Sequence, residues 1–233
     1  MMLGMTMWAN TPVVTPEDQT TASEEVSDDY LDEEELEEVP KSPWSVFSSG
    51  FYFGFGGAKA SGTMSLVSEV GVLNAVAVNY TFGNRNHLSL GIGYQYKSYS
   101  LKSKYAYGYD DGVVLIEPWP DGFSNRSSAL RVHTWQLPLM YRKELGKKWE
   151  IFAAGTFNWN FYSSFNKSYK QDNTKFSATT NKLCQRKVSF DVLAGFRFSK
   201  IGVYCRVAPM SLFKNGCGPK IDNIVTGGLI LGM

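Results

Sequence analysis

Few side chains in this sequence are spaced for chemistry, and the nearest approach is His87 with Ser89 in HLSLGIGYQYK. Two residues apart in an extended strand share a face. An imidazole there could serve as base for the hydroxyl in acyl transfer, given a third group to orient the ring. Asp191 in VSFDVLAGFRF is a carboxylate in mid-strand, which burial penalises unless a cation is near. Pairing that segment with the next one across Ser199–Lys200 sets Leu193 opposite Arg206 and makes Arg206 the diagonal neighbour of Asp191. Diagonal Cβ atoms lie about 7–8 Å apart, within reach of arginine. The expectation is an interior polar network of Asp191 with Arg206, joined by Arg197 lower down, that holds structure and conducts nothing. Of three cysteines, Cys184 and Cys217 fall in long connections and form a candidate disulfide, leaving Cys205 unpaired. The other histidine, His133, stands beside Trp135 without an acid near it in sequence. Two distant histidines, no CxxC pair and no glycine-rich phosphate loop give no basis for a metal or cofactor.

The elements that position these residues emerge from charge and periodicity. Of the 22 acids, 12 lie between Glu17 and Glu38 with no Lys or Arg among them. From Lys41 onward, 23 Lys and Arg stand against ten Asp and Glu, an excess of 13 positive charges. An acid block of this density repels itself, so residues 10–43 read as a disordered acidic arm, bounded by Pro40 and Pro43. Residues 1–9, MMLGMTMWA, read as the shortened remnant of an export signal with Ala9 at the cut. The basic residues beyond the arm are scattered through strands and turns without a basic helix or motif, so nucleic acid is not an expected partner. No run of about 18 apolar residues occurs, which excludes a spanning helix and leaves a membrane barrel open.

After residue 43 the pattern alternates with period two. Leu88, Leu90, Ile92, Tyr94 and Tyr96 oppose Ser89, Gly91, Gly93, Gln95 and Lys97; Phe51, Phe53 and Phe55 oppose Tyr52, Gly54 and Gly56. Eight strands follow, at about 46–57, 70–82, 87–99, 129–143, 149–162, 187–198, 201–209 and 223–232. Most reach the ~9–11 residues that a tilted strand needs to cross a bilayer. Their connections alternate between long (58–69, 100–128, 163–186, 210–222) and short (Gly83–Asn86, Glu144–Lys148, Ser199–Lys200). The reading is an all-β fold over residues 44–233, an eight-stranded antiparallel up-and-down transmembrane barrel with its termini on the short-turn side.

Volume decides which face is inside. An eight-stranded interior is just wide enough for side chains to fill. A lumen holding Phe51, Phe53, Phe55, Tyr94, Phe157, Trp159 and Phe198 would be overpacked, so the bulky face is expected outside and the Gly/Ala/Ser/Asn face inside. This inverts a soluble barrel. Trp135, Trp159 and Phe161 then form a girdle toward the long loops, with His133 among them. Tyr141, Trp149, Phe196 and Phe198 form one toward the short turns. His87, after a short turn, falls at the rim away from the outer leaflet, which argues against lipid chemistry there.

The segments LPLMYR (Leu137 to Arg142), DVLAGFRF (Asp191 to Phe198) and TGGLILGM resemble the PorT-like outer-membrane β-barrel family of Bacteroidetes-type bacteria. The resemblance covers about residues 44–233. It implies an outer-membrane location in a Gram-negative bacterium and an eight-stranded barrel; one branch of the family is tied to protein secretion. The chain departs from the usual aromatic final residue of such barrels, since it ends at Met233.

Function is expected in the long connections, where scaffolds carry binding. Tyr105, Tyr107, Tyr109 and Trp119, with Phe123, Asp110, Asp111 and Asp121, form a candidate aromatic platform for sugars or proteins. Lys167, Lys170, Lys175, Lys182 and Arg186 suit the phosphates of outer-membrane lipid and lipopolysaccharide. The acidic arm could meet the basic short turns (Arg85, Arg142, Lys143, Lys147, Lys148, Lys200) or recruit another outer-membrane or periplasmic protein. The expected role is structural or ligand-binding rather than catalytic. Two alternatives stand beside it: a lipid-modifying barrel enzyme, and a soluble lipocalin-like carrier of small ligands.

Overall fold

The computed structural model describes residues 42–48, 50–59, 62–181 and 183–232, apart from the side chain of Lys59. The segment 1–9, the acidic block from Glu17 to Glu38 and Lys182 lie outside the described residues. All elements among those described are strands: β1 (Trp44–Phe47), β2 (Phe51–Lys59), β3 (Met64–Phe82), β4 (Asn86–Leu101), β5 (Tyr105–Asp110), β6 (Val113–Pro118), β7 (Ser124–Glu144), β8 (Trp149–Gln171), β9 (Thr174–Asn181), β10 (Val188–Phe198), β11 (Ile201–Ala208) and β12 (Asp222–Leu231). Eight of them, β2, β3, β4, β7, β8, β10, β11 and β12, close into one antiparallel ring. Closure comes from β12 pairing with β2, Leu229 opposite Phe53 and Gly227 opposite Phe55. A closed ring leaves no strand edge unpaired. The register of β10 on β11 places Leu193 opposite Arg206, as the two-residue turn dictates.

The expected first strand, 46–57, is two. Phe47 pairs with Ala77 and Phe51 with Val72, so β1 and β2 meet different stretches of β3. Opposite that break β3 is irregular, with Leu73, Asn74 and Ala75 between the pairs Val72–Tyr94 and Val76–Ile92. The bulge turns both Leu73 and Asn74 inward. The first long connection is also shorter than 58–69, because β2 and β3 continue to Lys59 and Met64.

The other long connections hold structure of their own. Within 100–128, β5 and β6 form a hairpin in which Tyr107 faces Ile116. Strand β8 continues to Gln171 and returns as β9, with Tyr169 opposite Phe176. Asp111, Asp172 and Asn173 take positive φ at these hairpin tips, where short polar side chains tolerate it. Hairpin β5–β6 docks through the Val114 amide on the Cys217 carbonyl, and residues 183–186 pair with 211–214 through Gln185 and Phe213.

The lumen is filled in layers. At the long-loop end Val67, Tyr99, Leu130, Phe165, Phe213 and Ile221 gather into an apolar cap under Tyr107. A charged layer lies below it. Beneath that, Tyr52, Leu73, Met140, Phe152, Leu193, Tyr204 and Ile230 cluster, with Phe47 against them. The lumen therefore holds large side chains as well as the small ones expected. The small residues make the room: a Cβ on Gly71 would lie 2.8 Å from the Tyr52 hydroxyl, and one on Gly54 would strike Tyr204.

Candidate functional site

The charged layer is built by β2, β3, β4, β10, β11 and β12, each contributing inward alternate positions. Its centre is Glu69, 3% exposed. Tyr204 and Thr226 each donate a hydroxyl to Glu69 Oε1 at 2.7 Å. Gln95 donates to Oε2 at 2.9 Å, and Arg206 Nη1 lies 3.5 Å from the same oxygen. Arg206, 1% exposed, packs against two aromatics, its guanidinium 4.7 Å from the Tyr52 ring centroid and 5.9 Å from that of Tyr204. Lys97 Nζ donates to Asp191 Oδ2 at 2.9 Å and lies 3.9 Å from Glu69. A neutral ladder ties this to the far wall: Tyr52 donates to Gln136, and Gln136 donates to Gln95 and to Asn158. Two carboxylates thus face two cations, and the layer is neutral.

This corrects the expected pairing. Asp191 binds Lys97, not Arg206, and Arg206 turns to Glu69. The diagonal geometry of β10 and β11 is as expected, but an interior of this width lets side chains pair across the lumen as well as along the wall. Glu69 was missed because its strand was expected to begin at residue 70; carrying the alternation one step upstream places it inward, beside Gly71. Arg197 belongs to a separate pair near the short turns. It donates to Glu150 at 2.8 Å; Arg142 lies 3.8 Å from the same carboxylate and 4.3 Å over the Phe47 ring.

Other sequence candidates are dispersed. Ser89 donates to the Met140 carbonyl, whereas His87 meets Thr81 at 3.0 Å and Glu144 at 3.1 Å, so the histidine and serine make separate bonds. His133 joins the outer aromatic girdle, 2.6 Å from the Tyr94 hydroxyl. Cys184 and Cys217 are joined by a disulfide across the cap, and Cys205 is exposed on the outer face.

The aromatic platform of residues 105–119 is not one surface. Tyr107 is wholly buried: its hydroxyl donates to the Tyr99 carbonyl and its ring lies 6.0 Å from Phe165. That burial pushes its phenol pKa well up. Trp119 is buried against Phe123 and Tyr169, Tyr105 is half-buried, and Tyr109 is the exposed member. The hairpin folds back on the barrel mouth, so Tyr107 joins the cap core and Tyr105 packs against it. Lys167 lies 5.9 Å over the Phe165 ring, and Lys170 faces Lys175 across β8 and β9.

On the outer face of the ring most of the outward positions hold bulky apolar side chains. Trp135, Leu137, Leu139, Phe157, Trp159, Phe190 and Val192 are among the large apolar side chains on the surface. The outward positions Phe51–Phe55, Val70–Phe82, Leu88–Tyr96, His133–Tyr141, Ile151–Phe161, Val188–Phe198, Ile201–Val207 and Val225–Leu231 carry no Asp, Glu, Lys or Arg. No protein-family model matches the chain, and no curated protein matches it.

Proposed function

We propose that the chain is an integral outer-membrane β-barrel that acts by binding and anchoring, without catalysis. One observation carries this reading: an uncharged apolar band encircles a lumen whose charges are paired. On β8 the band runs from Trp149 to Phe161, which is about 40 Å along the strand at ~3.3 Å per residue. At a strand tilt of about 40° that is roughly 30 Å along the barrel axis, matching a lipid-facing band of about 25 Å together with the aromatic girdles that flank it. Trp149 and Phe198 lie 4.9 Å apart at one edge, and Trp135 and Phe161 stack at 5.9 Å at the other. Such belts suit the two membrane interfaces. An even strand number brings Trp44 and Leu231 to the short-turn rim, the periplasmic side in this reading.

The interior argues for an anchor rather than a conduit. The void beside Lys97 and Asp191 has a volume of about 20 Å³, room for roughly one water, between two apolar layers. A lipocalin-like carrier would need its rings inside and its charges out, the reverse of this wall. A PorT-like affiliation and contact with lipopolysaccharide or other envelope proteins through the cap belong to the same proposal.

Expression with an export signal, followed by carbonate washing of membranes, tests it. The folded chain should stay in the pellet and run faster unheated than boiled on a detergent gel. Release into the wash as a folded monomer would overturn the proposal.

A further inference from the structure

The long-loop rim carries cations that the lumen arrangement does not use. Between the end of β4 and the start of β7, Lys102, Lys104 and Arg126 line a cleft of about 540 Å³ with Ser100, Ser103 and Ser127. No carboxylate lines it, and none of the three cations makes an ion pair among the described residues. The contrast is with the cleft at the short-turn rim. There Arg85, Lys147, Lys148 and Arg197 share their space with Glu144 and Glu150.

The cleft is held in place by backbone. The Lys102 amide donates to Thr63, the Tyr105 amide to Lys102, and the Trp119 amide to the Lys104 carbonyl. Its height above the apolar band follows from the register of β4 on β7. Tyr96 pairs with His133 in the aromatic girdle, Ser98 with Arg131, and Ser100 with Ala129. Arg131 is exposed directly above the girdle. Ser100 lies four residues beyond Tyr96 on β4, about 13 Å along the strand and roughly 10 Å along the axis. The order outward is therefore apolar band, aromatic belt, one arginine, then a cleft of three cations and hydroxyls. Lysine, arginine and serine hydroxyls are donors suited to phosphate oxygens.

We infer that this cleft binds the phosphate of a phosphorylated lipid headgroup in the leaflet facing the long loops, with Lys102, Lys104 and Arg126 as its ligands. The inference rests on the membrane reading, which supplies the lipid and its orientation. The lipid's acyl tails would lie on the band below, and Arg131 would accompany the headgroup at the belt.

The test uses the full chain in a neutral detergent, titrated with short-chain phosphatidic acid, with phosphatidylcholine of equal chain length, and with inorganic phosphate, read by native mass spectrometry. The unaltered chain should retain phosphatidic acid in preference to phosphatidylcholine. At about 1 kcal/mol per basic residue near an anionic surface, Lys102→Glu/Lys104→Glu/Arg126→Glu should weaken phosphatidic acid binding by a hundredfold or more. Lys147→Glu/Lys148→Glu, at the other rim, should leave it unchanged. Heat-modifiable migration of each variant verifies the fold. Equal retention of the two lipids, equal weakening by both variants, or inorganic phosphate bound as tightly as the lipid would overturn the inference. Those results leave the chain in the carbonate pellet, whereas failure of the membrane reading empties it.

Discussion

The charged layer of the lumen and the long-loop rim use the same residue types to opposite ends. In the lumen, Glu69 and Asp191 are matched by Arg206 and Lys97 and wrapped by Tyr52, Tyr204, Thr226 and Gln95. At the rim, Lys102, Lys104 and Arg126 have hydroxyl neighbours and no carboxylate. Burial explains the difference. A charge withdrawn from water is costly unless paired, so an occluded interior selects neutral sets. A rim charge keeps its hydration and can stay unpaired until a ligand arrives. Matched charges in this molecule are therefore architecture, and unmatched ones are where binding is to be sought.

The largest expected effect breaks the matched side. Glu69→Leu leaves Arg206 buried without its carboxylate, and urea unfolding in detergent should show a loss of about 3–5 kcal/mol. The double variant Glu69→Leu/Arg206→Met should recover much of it. A single substitution costing under about 1 kcal/mol would mean that the layer does not hold the barrel. Next comes the cap that separates the two regions. Cys184→Ser opens a bridge between residues 33 apart, worth about 3–4 kcal/mol for a loop of that length. Proteolysis should find hairpin β5–β6 while the strands of the ring stay protected.

Leu139→Arg tests the other side of the same wall. In a bilayer it should cost about 2–4 kcal/mol, whereas on a watery surface it should stay within about 0.5 kcal/mol. Comparing unfolding in lipid vesicles with the same pair of proteins in detergent separates these outcomes. The smallest effect belongs to the rim. Lys220 lies 3.2 Å from Asp222 with its side chain 82% exposed, and Lys220→Ala should change stability by no more than about 1 kcal/mol. A larger change in the same unfolding assay would blur the line between matched interior and free rim.

Much of the barrel was legible because period-two alternation is a local property. Leu88 to Tyr96 and Phe51 to Phe55 disclose their outward face without knowledge of any partner strand. The pairing of Leu193 with Arg206 follows from a two-residue turn. The candidate site was less legible. Asp191, Arg197 and Arg206 were found as inward charges, but Lys97 and Glu69 reach Asp191 and Arg206 from across the lumen, and Glu150 faces Arg197 on the adjacent strand β8, reached only through the long β8–β10 connection. The loop aromatics failed as a group for a related reason: composition marks Tyr107 and Trp119 as rings in a long connection, and only tertiary packing buries them, Tyr107 in the cap and Trp119 against Phe123 and Tyr169.

By itself, the sequence determined which side of each strand is apolar, how many strands the barrel has and at which end the long connections gather, since these depend on neighbours within a few residues. Tertiary structure alone decided which carboxylate meets which cation, where β2 parts from β1, and that the cap closes the lumen. Those outcomes depend on groups from distant strands sharing one narrow interior, where the distance across the barrel competes with the distance along its wall.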